Sequence, residues 1–271
     1  MELNGRVAVV TGAASGIGYA LSERFAAEGM QVVMAGRNEA NLTAAADRLR
    51  EQGADVTPVV CDVADPAQVE ALRDATLATY GGAHLLCNNA GVASGGTNLR
   101  TSNDTWRWLV DVNVLGVAYG CNAFGPLFVE QGEGHIVNTS SEAGLAPSAI
   151  LGAYHATKYA VVGLSESLYL ELEKKGVGVS CLCPELVDTK IFEATRNAPA
   201  ELGLGEPPPM PMDVVESFMN TTAMNPRDVA GQVVYAVRTN RFWILTHPSS
   251  LQRVAVRNEG LAILRNPQMP R

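Results

Sequence analysis

The chain has 271 residues, 47% of them hydrophobic, and a formal net charge of -8. That is material for one large domain with a sizeable core, and the acidic balance argues against a general nucleic-acid surface, which needs a basic patch. Five cysteines without a Cys-x-x-Cys pair argue against a metal site and fit buried free thiols in a reducing compartment. No basic segment followed by an apolar run opens the chain, and no apolar run reaches membrane-spanning length, so a soluble cytoplasmic protein is expected.

In chain order, the β-branched run at residues 6–11 predicts a buried strand. The glycine-containing segment Gly12 to Gly18 leads into a helix that lasts to about Gly29. Strands are expected at 31–35, 56–60 and 84–87, separated by helices at 39–52 and at 66–80, the second opened by Pro66. Asp104 reads as the N-cap of a long helix running to about Glu130. A fifth strand at 134–139 precedes a helix from near Tyr154 to near Gly176, and a sixth strand follows at 177–182, where Cys181 and Cys183 share one face. Residues 189–225 are rich in Pro, Met and Phe and read as a long functional loop. A helix at 226–239, a strand at 242–245 and a terminal helix at 251–264 complete the chain.

Strict alternation of strand and helix, with strands apolar on both faces, predicts a single doubly wound, Rossmann-type α/β domain spanning 1–271. Its sheet is expected to have seven strands, mainly parallel, with helices on both faces. Glycines in Thr11-Gly12-Ala13-Ala14-Ser15-Gly16-Ile17-Gly18 allow close approach of a pyrophosphate to a helix N-terminus, directly after the first strand. At the end of the second strand, where a carboxylate would bind a ribose 2′-hydroxyl, the chain has Arg37. A guanidinium there suits a 2′-phosphate, so NADP(H) is the expected cofactor.

Tyr154 and Lys158 are four apart and share one helix face. An ammonium beside a phenol favours the phenolate, which makes the pair either a general acid–base unit or, taken alone, a solvated helix face.

Together these residues resemble the short-chain dehydrogenase/reductase family over nearly the whole chain. The glycine motif matches at Thr11, Gly12, Gly16, Ile17 and Gly18. Asp62 and Val63 match the adenine-contacting segment, and Asn89, Ala90 and Gly91 a motif that passes beside the cofactor. Asn113, Ser141, Tyr154 and Lys158 match the catalytic residues; Ser141 lies the usual 13 residues before Tyr154, which disfavours its neighbour Ser140. Pro184, Val187 and Thr189 match the segment that meets the nicotinamide.

The family usually has Gly after that Pro, and this chain has Glu185, which contacts substrate or turns toward the lid or solvent. His155, about 100° around the helix from Tyr154, should point away from the reacting centre.

The resemblance implies hydride transfer between the nicotinamide and a carbonyl or alcohol carbon. Ser141 would hold the substrate oxygen and Tyr154 serve as acid/base. Lys158 would lower the Tyr pKa and hold the nicotinamide ribose, and Asn113 would anchor a relay water. The Met- and Phe-containing segment 189–225 is the expected lid over a medium-to-bulky hydrophobic ketone or alcohol. A homotetramer or homodimer built on helices 104–130 and 153–175 is expected by the same resemblance. The alternatives are a reductase of 3-oxoacyl thioesters and a non-enzymatic NADP-sensing protein. No metal, nucleic acid or membrane partner is expected.

Overall fold

A computed structural model describes residues 1–94, 97–191, 193–194, 198, 202 and 223–268. Seven strands, β1 (Val7–Thr11), β2 (Gln31–Gly36), β3 (Val56–Val60), β4 (Leu85–Asn88), β5 (Gly134–Thr139), β6 (Val177–Cys183) and β7 (Trp243–Leu245), form one sheet in the order β3-β2-β1-β4-β5-β6-β7. Every pairing between neighbours is parallel. Pro58 sits in β3, at the sheet edge, where a missing N–H is tolerated.

Side-chain alternation divides the central strands between two main cores, and Cys181 and Cys183 of β6 join a smaller third with Trp243 and Leu245 of β7. Ala8 and Val10 of β1 join a core with Leu21 and Phe25 of α1 (Gly16–Ala27), Leu42 of α2 (Glu39–Arg50) and residues 229–237. Val9 points the other way, toward Leu72 of α3 (Pro66–Tyr80) and Phe124 and Phe128 further along. Helices therefore cover both faces, which is why the strands read as continuous apolar runs. β1 pairs with β2 on one side and β4 on the other. The winding direction reverses there, opening a crevice beyond the carboxyl ends of the central strands.

The helix expected at 104–130 is in fact two helices, α4 (Asn103–Val110) and α5 (Gly116–Gln131), joined by a π-helical turn at Asp111–Leu115. Its cap is Ser102, whose Oγ accepts from Thr105 N at 3.1 Å, with Asp104 in the first turn. By length and composition the stretch Asn103–Gln131 is apolar enough to cross a membrane, contrary to the sequence reading. Phe124 and Phe128 within it are fully buried in the second core. Helix α6 (Gly152–Leu172) starts earlier and ends sooner than expected, leaving Lys174 and Lys175 beyond it. Helix α7 (Pro226–Thr239) returns the chain to β7, and α8 (Pro248–Ala262) follows it, opened by Pro248 rather than at Leu251. All five cysteines are free and buried. Most of the lid expected at 189–225 lies outside the described residues.

Candidate active site

The strands end together at Thr11, Gly36, Asn88, Thr139 and Cys183, and the segments that follow them line one cleft of about 620 Å³. The cleft runs continuously from the glycine loop, past Arg37 and Asp62, to Ser141, Tyr154 and Lys158.

The glycine loop is shaped by backbone contact. Gly12 has φ +67°, and a Cβ there would lie 2.9 Å from Ala90 Cα. A Cβ on Gly18 would meet Gly12 O at 2.3 Å, so α1 can close on the strand end only with hydrogen at that position. Ser15 precedes the helix with no side-chain cap and no acidic residue follows in the first turn, which leaves the first N–H groups to an anion. Thr11 Oγ1 accepts from Asn89 N and Ala90 N, each at 3.0 Å, and donates to Cys87 O at 3.3 Å. Asn89 Nδ2 in turn donates to Thr11 O at 3.0 Å. Asn89 thus holds the two loops in register with its side chain, and Ala90 and Gly91 form the cleft wall beside it.

Arg37 stands at the end of β2, half-exposed, with a nitrogen 3.6 Å from Asp62 Oδ2. Asp62 Oδ1 accepts from Ala64 N at 3.0 Å, and Val63 packs against Gly116 at the start of α5.

At the other end, Lys158 is buried and Nζ donates to Thr139 O at 3.0 Å. Nζ is 5.6 Å from the centre of the Tyr154 ring. Burial pulls the lysine pKa down to about 8, with the neighbouring Cys181 and Cys183 pulling the other way. Burial also pushes the Tyr154 phenol up to about 12, opposed by its hydrogen bond with Ser141. Desolvation outweighs that hydrogen bond, which leaves the phenol protonated in the chain itself.

Ser140 and Ser141 part company at the end of β5. Ser140 Oγ is buried and donates to Lys158 O at 2.8 Å, bracing α6. Ser141 Oγ lines the cleft, donates to Pro184 O at 3.3 Å and accepts from Ala143 N at 3.1 Å. Asn113 is fully buried in the π turn. Its Oδ1 accepts from Val92 N and its Nδ2 donates to Val92 O, both at 2.8 Å, and Nδ2 also reaches Thr157 Oγ1 at 3.1 Å. The Asn113 side chain is thus a strut between the Asn89–Val92 loop and α6.

Pro184, Val187 and Thr189 line the cleft opposite the glycine loop, and the Thr189 methyl lies 3.1 Å from where a Gly16 Cβ would be. Glu185 does not turn to solvent: its side chain is 7% exposed. Its carboxylate faces α8, where Ser249 and Ser250 donate to Oε2 at 2.6 and 3.0 Å and Arg253 pairs with Oε1. Arg253, which sequence reasoning missed, also lines the cleft.

His155 Nε2 accepts from Ser148 N at 3.1 Å, which leaves the ring proton on Nδ1 to donate to Ala143 O at 2.7 Å. The ring holds the loop between Ser141 and α6, and it lines the cleft beside Tyr154. That loop ends at Leu151, whose φ of 67° is left-handed, and Gly152 N donates to Asn98 Oδ1 at 2.7 Å.

The residues present fit a nicotinamide dinucleotide. The glycine loop leaves a cradle that a side chain would fill, and Thr139 Oγ1, in the cleft wall, is buried with no hydrogen-bond partner among the described residues.

A family model described as short chain dehydrogenase matches residues 6–200. The chain is 35% identical over its full length to 1-deoxy-11-beta-hydroxypentalenate dehydrogenase of Streptomyces exfoliatus, covering 92% of that protein. It is 38% identical over 195 residues to the granaticin polyketide synthase putative ketoacyl reductase 1 of Streptomyces violaceoruber, covering 70% of this chain and 71% of that one. Among solved structures, a short chain dehydrogenase/reductase from Burkholderia phymatum in complex with NAD superposes with a TM-score of 0.93 at 42% identity, covering 100% of this chain and 99% of that one.

Proposed function

The chain belongs to the short chain dehydrogenase family of oxidoreductases, and from that premise we propose that it uses NADP(H) to interconvert a medium-to-bulky hydrophobic ketone and its secondary alcohol. The observation that carries the reading is the meeting of Ser141, Tyr154 and Lys158 in one cleft with the glycine loop. Val92, Ala93, Trp108, Val112, Ala146 and Leu151 line the same cleft and support a hydrophobic substrate.

In the reduction direction Ser141 hydrogen-bonds the carbonyl oxygen and Tyr154 delivers the proton as alkoxide charge develops. A phenol raised to about 12 is fully protonated at neutral pH, which suits that acid role. Lys158 stabilises the phenolate left behind. Gly12, Ser15, Gly16, Ile17 and Gly18 would hold the pyrophosphate of the dinucleotide, Asp62 and Val63 its adenine, Asn89, Ala90 and Gly91 the neighbouring ribose, and Pro184, Val187 and Thr189 its nicotinamide. The bound cofactor supplies or accepts the hydride.

Preference for NADP(H) rests on Arg37 alone; the Burkholderia phymatum protein was crystallised with NAD. Parallel steady-state kinetics with NADPH and NADH over aliphatic, aryl and bulky ketones test both the cofactor and the activity. An NADH preference overturns the Arg37 reading, and turnover of no ketone overturns the activity. The similarity to a putative ketoacyl reductase favours a 3-oxoacyl thioester as the second substrate reading, to be included in the same panel. Assembly as a homodimer or homotetramer is inferred from membership of the family, and sedimentation velocity tests it.

A further inference from the structure

Two loops position the reacting groups, and a side chain of α8 reaches both. Arg253 of α8 donates through Nε to Glu142 Oε1 at 2.6 Å, and its Nη2 pairs with Glu185. Glu142 immediately follows Ser141; Glu185 immediately follows Pro184, whose carbonyl accepts from both Ser141 Oγ and Glu142 N. Glu142 O also accepts from Leu145 N and Ala146 N, at 2.8 and 3.0 Å. The three charged side chains are well shielded, 21% exposed for Arg253, 16% for Glu142 and 7% for Glu185. This is therefore an ion cluster in the cleft wall rather than a surface pair.

The two carboxylates do not share the guanidinium equally. Burial raises the pKa of Glu142, and Arg253 only partly offsets it. Burial would raise Glu185 too, but its hydrogen bonds from Arg253, Ser249 and Ser250 prevail and lower it. Glu185 is thus the fixed anchor on α8, and Glu142 is the arm reaching to the Ser141 turn.

We propose that Arg253 is a positioning residue for the reaction: by clamping Glu142 to Glu185 it sets the Ser141 hydroxyl against Tyr154 and makes α8 a working part of the active site. The inference rests on the hydride-transfer reading given above. It also accounts for a glutamate at position 185, where the family usually has glycine: the carboxylate is the foothold of the clamp.

The test compares wild type with Arg253→Met and Arg253→Lys. Ketone-reduction kcat and KM are measured, with cofactor Kd by calorimetry and amide exchange over residues 141–146. Arg253→Met is expected to lower kcat about 10–100-fold, the scale of a misplacement on the order of 1 Å. KM and cofactor Kd should stay within about threefold, exchange should accelerate at Ala143, Leu145 and Ala146, and Arg253→Lys should recover most of the rate. A Met variant with kcat within about twofold of wild type overturns the proposal. So does exchange that accelerates across the whole chain, since that marks a general stabilising role. If the Met variant does not fold, Glu142→Gln carries the test, with the same kcat loss and local exchange expected and an unchanged kcat overturning the proposal. Should wild type reduce no carbonyl compound, the activity reading fails, while exchange at 141–146 still answers for the clamp.

Discussion

Tyr154 is half-buried beside a buried lysine, and the balance between those two facts governs its chemistry. Replacing Tyr154 with Phe removes the phenol that hydrogen-bonds Ser141 while leaving the glycine loop intact. Turnover should fall by roughly 10²–10⁴, with cofactor binding retained by calorimetry; near-normal turnover would remove Tyr154 from the mechanism. Lys158 sets the pH range. Its pKa of about 8 means that the ammonium is lost as pH rises through that value, and the phenolate then loses its stabilising charge. The kcat for reduction should therefore hold level through neutral pH and decline above about pH 8, and a profile flat to well beyond that value would contradict it. At this scale the sequence was informative where chemistry is local. Tyr154, Lys158 and Ser141 lie on adjoining segments and are brought together as their spacing suggests. It was silent on Arg253, because a contact to Glu142 spanning 111 residues leaves no trace in spacing.

Among the elements, the strands were legible because a sheet covered on both faces demands unbroken apolar runs, and all seven formed near their expected bounds. The π turn was not. Asp111-Val112-Asn113-Val114-Leu115 carries no Pro or Gly to mark a break, and the extra residue is accommodated by tertiary contacts of Asn113. The cap at Ser102 was missed because Asp104 is an equally good capping residue two positions on. The Asn113 side chain is a strut in the folded chain. Asn113→Ala strands the N–H and C=O of Val92, and buried unpaired groups cost about 1–3 kcal/mol each. Denaturant unfolding should show a loss of this order along with lower activity. Unchanged stability would return Asn113 to a purely catalytic part.

For the whole molecule, the two cores make the central strands the most protected region, and a histidine is sealed among them. His135 in β5 is buried, with Nε2 2.8 Å from Ser180 Oγ, and burial lowers its pKa to about 3. Its folded pKa lies below the unfolded value near 6.5, so between those limits the unfolded chain binds the extra proton. Stability should fall as pH drops from about 6.5 toward 3, and the melting temperature of His135→Gln should depend less on pH over that window. Equal slopes for the two proteins would rule His135 out as the source. The doubly wound architecture was legible from the alternation of elements, since each βαβ unit is a local consequence of its own sequence. The lid expected at 189–225 was marked only by composition, and Pro, Met and Phe content specifies no one backbone path.

Leu151 ends the loop before the helix that carries Tyr154, in a backbone conformation that costs a side-chain-bearing residue about 1–2 kcal/mol. Glycine would adopt it without that cost but would remove the apolar side chain that Leu151 presents to the cleft. Stability and substrate recognition therefore pull this position in opposite directions. A search for stabilising substitutions that scored folding alone would select glycine here and erode the pocket it was meant to protect.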